Sequence, residues 1–150
     1  MAKEIERKYL VEDDSYKSMA YSSSKIIQGY LSTRKESTVR IRIRDNHAYI
    51  TIKGINSGVI RDEWEYEIPV ADATEMLDLC DGIVLDKTRY LVNYGDRLWE
   101  IDEFHGAHDG LVVAEIELGA ENDTYPLPPF IGKEVTGDAR YYNSVLSGIK

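Results

Sequence analysis

From Arg40 to Arg44 the chain reads Arg-Ile-Arg-Ile-Arg, and from Glu63 to Glu67 it reads Glu-Trp-Glu-Tyr-Glu. A β-strand sends successive side chains to opposite faces, so each segment has one face of like charges and one apolar face. The pattern recurs along the chain. Glu4, Glu6 and Lys8 share a parity, as do Lys87 and Arg89, Glu100 and Asp102, and Glu115 and Glu117. Lys53 stands in register with Thr51 and Tyr49, opposite Ile50 and Ile52. With Arg40, Arg42, Arg44, Glu63, Glu65 and Glu67, this parity carries nine acids and seven bases.

An antiparallel sheet with one wet face is the commonest use of such alternation. Here, however, each strand after the first carries a single sign. Like charges two residues apart repel, which is unfavourable unless something of opposite sign lies between them. Eight strands are enough to close a barrel, with the charged parity lining its bore. Enclosed acids then imply a bound metal and enclosed bases a polyanion, because unpaired buried charge is costly. Arginine suits planar, bidentate capture of phosphate oxygens. Together these describe a site for a metal-chelated chain of phosphates, with the apolar parity facing outward.

The strand signals predict about eight strands, near residues 3–11, 26–33, 38–45, 48–54, 62–69, 83–94, 97–104 and 111–119. Asp45-Asn46-His47 and Gly95-Asp96 read as tight turns, and Gly54 to Gly58 as a polar loop. Helical spacing appears at Asp72–Cys80, with Asp72 as cap, at Asp138–Ile149, and in a short piece from Asp13 to Ala20. The expected fold is mainly β (α+β): a closed eight-stranded antiparallel barrel with a few flanking helices, spanning residues 1–150 as one domain. Few helices are available to cover the outer wall, which leaves room for a homodimer.

A net charge of -9 argues against a protein that coats nucleic acid or anionic membrane. Cys80 is the only cysteine, so neither an internal disulfide nor a Cys-based zinc site is available. No signal-length apolar start or 18-residue apolar run appears, and the expectation is a soluble cytoplasmic protein. His105 and His108 read as a loop at the barrel mouth, since a zinc site lacks a third ligand. Cys80 reads as core, and Trp64 and Trp99 as packing under helices.

The ordered motifs resemble the CYTH superfamily, the triphosphate tunnel metalloenzymes. Glu4-Ile5-Glu6-Arg7-Lys8 matches its N-terminal ExExK signature. The likeness continues through Gln28-Gly29-Tyr30-Leu31, Val39 to Arg42, Thr51 to Gly54 and Glu63 to Glu67. It resumes at Lys87 to Tyr90, Glu100 to Phe104, Gly110 to Leu118 and Glu134 to Asp138. The short form and the Gln-Gly-Tyr-Leu segment are most similar to bacterial inorganic triphosphatases.

The resemblance implies a tunnel in which Glu4, Glu6, Glu115 and Glu117 hold divalent metal, with Asp102 as a further ligand. Oxygen-only ligands suit Mg²⁺ or Mn²⁺. Lys8, Arg40, Arg42, Lys53, Lys87 and Arg89 would cradle the triphosphate, and Lys133 and Arg140 would close one end. The implied reaction is hydrolysis of inorganic triphosphate to diphosphate and phosphate, with Glu63 or Glu65 taking the proton of the attacking water. Tyr30, restrained by Lys8, is the alternative, as base or as orienter. Class IV adenylate cyclase, thiamine or nucleoside triphosphatase, a non-catalytic polyphosphate-binding module and an open-sheet interaction domain are the competing readings.

Overall fold

A computed structural model of the protein describes residues 2–57 and 59–148. Its strands are β1 (Ala2–Val11), β2 (Ser22–Ser32), β3 (Thr38–Arg44), β4 (His47–Lys53) and β5 (Ile60–Ile68). They continue with β6 (Asp81–Tyr94), β7 (Arg97–His105), β8 (Val112–Glu117) and β9 (Ile131–Glu134). The spatial order is β5-β4-β3-β2-β6-β7-β8-β1-β9, and β5 also pairs with β1. That last pairing, Ala2–Ile5 against Glu63–Ile60, closes eight strands into an antiparallel barrel. Beyond it β9 takes over beside Tyr9 and Val11 of β1.

The two short turns fix the registers on which the bore depends. Asp45 joins β3 to β4 with φ 54°, while Gly95 and Asp96 join β6 to β7 with φ 58° and 59°. Left-handed backbone of this kind matches the twist of paired strands. Each hairpin thereby sets a bore residue of one strand directly opposite one of the next: Arg40 faces Thr51, and Arg89 faces Asp102.

The apolar parity faces outward and is covered in two places. Tyr9, Val92, Trp99, Ile101, Ala114 and Ile116 are buried beneath Tyr16 of helix α1 (Tyr16–Met19) and Phe130. Ala73 of helix α2 (Val70–Leu77) packs on Ile41 and Ala48, with Met76, Leu77 and half-buried Cys80 beside it. Gly29 permits this approach, because a Cβ there would stand 2.8 Å from the Cys80 sulfur. Full burial of each large side chain contributes about 1.5–3 kcal/mol. Ile52 and Tyr66, on the outer face of β4 and β5, stay exposed.

One end of the bore is apolar. Leu85, Phe104 and Val113 continue the inward parity past the charged rows, and Leu146 of helix α3 (Asn143–Leu146) packs against them. His108 bonds through Nε2 to the Leu146 carbonyl, and Ser147 accepts from the Ile83 amide, so the C-terminal segment is tied in on both sides.

Several boundaries differ from those predicted. β2, β5 and β6 begin earlier, at Ser22, Ile60 and Asp81. α2 starts at Val70 with Pro69 at the cap position, so Asp72 lies in the first turn rather than capping. The expected Asp138–Ile149 helix is a 3₁₀ turn at Ala139–Tyr141 followed by α3. Extended backbone at Tyr142, ψ 134°, divides the two. Ile149 and Gly58 lie outside the described residues. β9 had no periodic signal in a stretch of four residues. Trp99 is packed as expected, whereas Trp64 remains half-buried on the β5 face.

Candidate functional site: the charged bore

The bore holds a cavity of about 230 Å³. Apart from Val59 and Gly137, every lining residue is charged or carries a polar group, including the tyrosines Tyr30 and Tyr142. Arg40 and Arg42 reach it from β3, Arg89 from β6, Lys8 from β1 and Lys53 from β4. Glu4, Glu6, Glu115, Glu117, Glu63 and Glu65 line it as well. Period-2 geometry thus brings all but four of the proposed site residues to one cavity.

Lys87 and Asp102 lie just beneath the lining. Asp102 accepts from Lys87 Nζ at 2.7 Å, from Arg89 Nε at 2.7 Å and from Arg89 Nη2 at 2.9 Å. Burial opposes ionisation of Asp102, but Arg89 and Lys87 outweigh it and hold its pKa below the usual carboxylate range. Burial, helped by Arg89 and Arg42, pulls Lys87 below the usual lysine range despite Asp102. Both Asp102 oxygens are therefore engaged by bases, and this carboxylate serves as their holder. Lys133 and Arg140 do not reach the bore. Lys133 is exposed on β9, and Arg140 lies outside, bonded to Asp138 at 2.7 Å and set over the Tyr141 ring.

Other cations pair across the cavity. Lys8 donates to the Tyr141 carbonyl at 3.0 Å and pairs with Glu115 at 3.2 Å. It makes no hydrogen bond to Tyr30 among the described residues, contrary to the expected restraint; the lysine is held from the C-terminal segment instead. Lys53 stands 2.9 Å from Glu4 and 3.5 Å from Glu63. Arg40 donates to Thr51 at 3.1 Å and reaches Glu65 at 3.5 Å, while Thr51 donates to Glu65 at 2.8 Å. Burial disfavours the charge on Arg42, and Arg40 and Arg89 add to this, bringing its pKa down to about 9.

The acids divide into two kinds. Burial works against Glu115, yet Lys8 and Arg89 draw its pKa down to about 2. Glu6 is the reverse: burial, then the charges of Glu115 and Glu4, hold it well above the usual range. Glu117 is raised by burial and by Glu4, Glu100 and Glu63. Neither the Glu6 nor the Glu117 carboxylate has a hydrogen-bond or ion-pair partner among the described residues. This surplus of oxygen ligands and negative charge fits a hard divalent cation, which takes carboxylate oxygen and lowers such pKa values. Among the described residues, no three His, Cys, Asp or Glu side chains form a preformed metal-binding group.

Sequence reasoning missed several lining residues. Arg61 donates to the Gly54 carbonyl at 2.9 Å and to Thr38 at 3.0 Å. Its parity with Glu63 would have marked it, had the strand been started two residues earlier. Glu100 and Arg44 were on the charged parity without an assigned role. Tyr142, Asn143 and Ser144 enter from the C-terminal segment, where no strand period points to them.

The CYTH domain family matches residues 2–143. The chain belongs to the CYTH family. It is 48% identical over 147 residues to the inorganic triphosphatase of Acetivibrio thermocellus, covering 97% of this chain and 94% of that protein. It is 33% identical to the inorganic triphosphatase of Nitrosomonas europaea, covering 96% of each. A solved inorganic triphosphatase superposes with a TM-score of 0.69 at 31% identity, covering 98% of this chain and 95% of that one. A Pyrococcus horikoshii protein, 21% identical with a TM-score of 0.64 over 79% of this chain and 80% of that one, shares the fold. As a CYTH protein the chain was expected to form an eight-stranded antiparallel barrel, and it does.

Proposed function

We propose that this CYTH protein, acting as one domain, is a divalent-metal-dependent triphosphatase that hydrolyses inorganic triphosphate to diphosphate and phosphate. The observation that carries this reading is the enclosure of Arg40, Arg42, Arg89, Lys8 and Lys53 with a surplus of carboxylates in one cavity of about 230 Å³. The named activities of its relatives support the same substrate.

Arg40, Arg42 and Arg89 bind phosphate oxygens, with Lys8 and Lys53 alongside and Lys87 acting through Asp102 from beneath. Glu4, Glu6, Glu115 and Glu117 would hold Mg²⁺ or Mn²⁺, which neutralises phosphate charge and acidifies water when bound. Phosphoryl transfer needs positioning and charge stabilisation more than covalent help. Glu63 or Glu65 takes the water proton; Glu65 stands beside the cradle, bonded to Thr51 and reaching Arg40. Tyr30, which lines the cavity, orients the substrate. Charged groups dominate the lining, with only the rings of Tyr30 and Tyr142 offered to a base, which favours triphosphate over nucleotide.

The test is product analysis with inorganic triphosphate, ATP and thiamine triphosphate under Mg²⁺ and Mn²⁺. Phosphate and diphosphate in equal amounts from inorganic triphosphate, at the highest kcat/KM of the panel, is the expected result. Cyclic AMP with diphosphate from ATP, or no product at all, would overturn it.

A further inference from the structure

Gln28 sits at the centre of β2, directly opposite Arg42 of β3, and is fully buried. Its Oε1 accepts from Arg42 Nε at 2.9 Å. Its Nε2 is buried with no partner among the described residues. Leaving a buried amide unsatisfied is costly, so its retention calls for a reason.

The reason lies in what Arg42 lacks. Arg89 is held by Asp102 at 2.7 Å, Lys8 by Glu115 at 3.2 Å, Lys53 by Glu4 at 2.9 Å, and Arg40 reaches Glu65 at 3.5 Å. Buried Arg42 has no carboxylate in ion-pair range among the described residues. Its terminal nitrogens have no protein acceptor among them, and it lines the cavity. Glutamate at position 28 would satisfy Arg42 more strongly and leave no orphaned amide. It would also neutralise the guanidinium and compete with an incoming phosphate.

We propose that Gln28 is a positioning residue that holds Arg42 through an uncharged acceptor, leaving the guanidinium oriented and un-neutralised for a phosphate of the substrate. Fixing Nε from behind leaves both terminal nitrogens for a bidentate phosphate contact. The lone Nε2 follows, since the amide must turn its oxygen toward Arg42. The low pKa of Arg42 agrees with a cation that awaits an anion. This inference rests on the triphosphatase reading.

The experiment compares wild type, Gln28→Glu and Gln28→Met by KM and kcat for inorganic triphosphate with Mg²⁺, by the Kd for triphosphate from calorimetry, and by thermal melting. Gln28→Glu is expected to melt no lower than wild type yet to raise KM and Kd about tenfold or more, with kcat within about twofold. Gln28→Met is expected to raise KM and Kd about tenfold by releasing Arg42. A Gln28→Glu protein with wild-type KM and Kd overturns the proposal, and so does a kcat loss at unchanged KM. If Gln28→Met does not fold, the nearly isosteric Gln28→Glu decides alone. Wild type that binds triphosphate without hydrolysing it removes the proposed activity, and the Kd comparison still decides the role of Gln28.

Discussion

Asp102 offers the sharpest test of how the bore is held together. Asn at this position keeps the volume and removes the charge that three hydrogen bonds of 2.7, 2.7 and 2.9 Å converge on. Both partners are buried, Lys87 fully and Arg89 nearly so, leaving two cations facing each other beside Arg42. Breaking a buried pair by removing one partner costs about 3–5 kcal/mol. At about 2–4 °C per kcal/mol for a chain of this size, Asp102→Asn should melt about 6–20 °C below wild type. Asp102 is a depressed carboxylate, so its contribution is fully present above the unfolded pKa of about 3.9 and is lost as pH falls through the lower folded value. The difference between the two proteins should therefore shrink in acid, as Asp102 loses its charge, and also narrow as pH rises toward about 7, because buried Lys87 sheds its proton there and sheds it earlier without Asp102. Triphosphate, as a replacement anion, should recover part of the lost stability by linkage. Differential scanning fluorimetry across pH reads all three effects. A melting point within 2 °C of wild type at pH 7 would refute the argument that Asp102 holds the basic wall.

Three further outcomes follow from the same geometry. Glu6 is a carboxyl raised by burial and by Glu115 and Glu4, so its ionisation weakens the fold as pH rises from the unfolded value of about 4.3 through the raised one. Glu6→Gln should thus melt above wild type at pH 8 without metal and equal to it at pH 4, while losing turnover; a lower melting point at pH 8 would contradict the assignment. Leu146→Ala removes the apolar closure against Leu85, Phe104 and Val113 and should cost about 2 kcal/mol or more in thermal melts, with unchanged stability counting against the closure. Excess EDTA should abolish triphosphate hydrolysis and added Mg²⁺ or Mn²⁺ should restore it, and turnover persisting in EDTA would exclude the metal-dependent scheme.

Most of the bore was legible because a strand has a fixed period and a two-residue turn a fixed register. Given Gly95-Asp96, Tyr94 must face Arg97, and counting back sets Arg89 opposite Asp102. That arithmetic needs only the sequence and marks Asp102 as a partner of Arg89, whereas the family resemblance implies a metal ligand there. Arg61 escaped for a smaller reason, a strand boundary placed two residues late. The C-terminal segment is different in kind. Its path into the barrel depends on Leu146 finding an apolar ring made by three distant strands, which no local period encodes. For the same reason Lys133 and Arg140, basic and near a family motif, looked available for phosphate but face away from it. Gln28, uncharged, carries no signal of its own in the sequence; its partner Arg42 appears once β2 and β3 are paired.

The proposed reaction requires anion and metal to share the interior of the barrel. The most direct measurement is a crystal structure with Mn²⁺ and a non-hydrolysable triphosphate analogue, located by anomalous scattering. The expected result is an anomalous peak between the analogue and the carboxylates of Glu6 and Glu117, with phosphate oxygens on Arg40 and Arg42. Mn²⁺ and analogue bound on the outer wall, or an analogue in the bore without contact to either arginine, would contradict it.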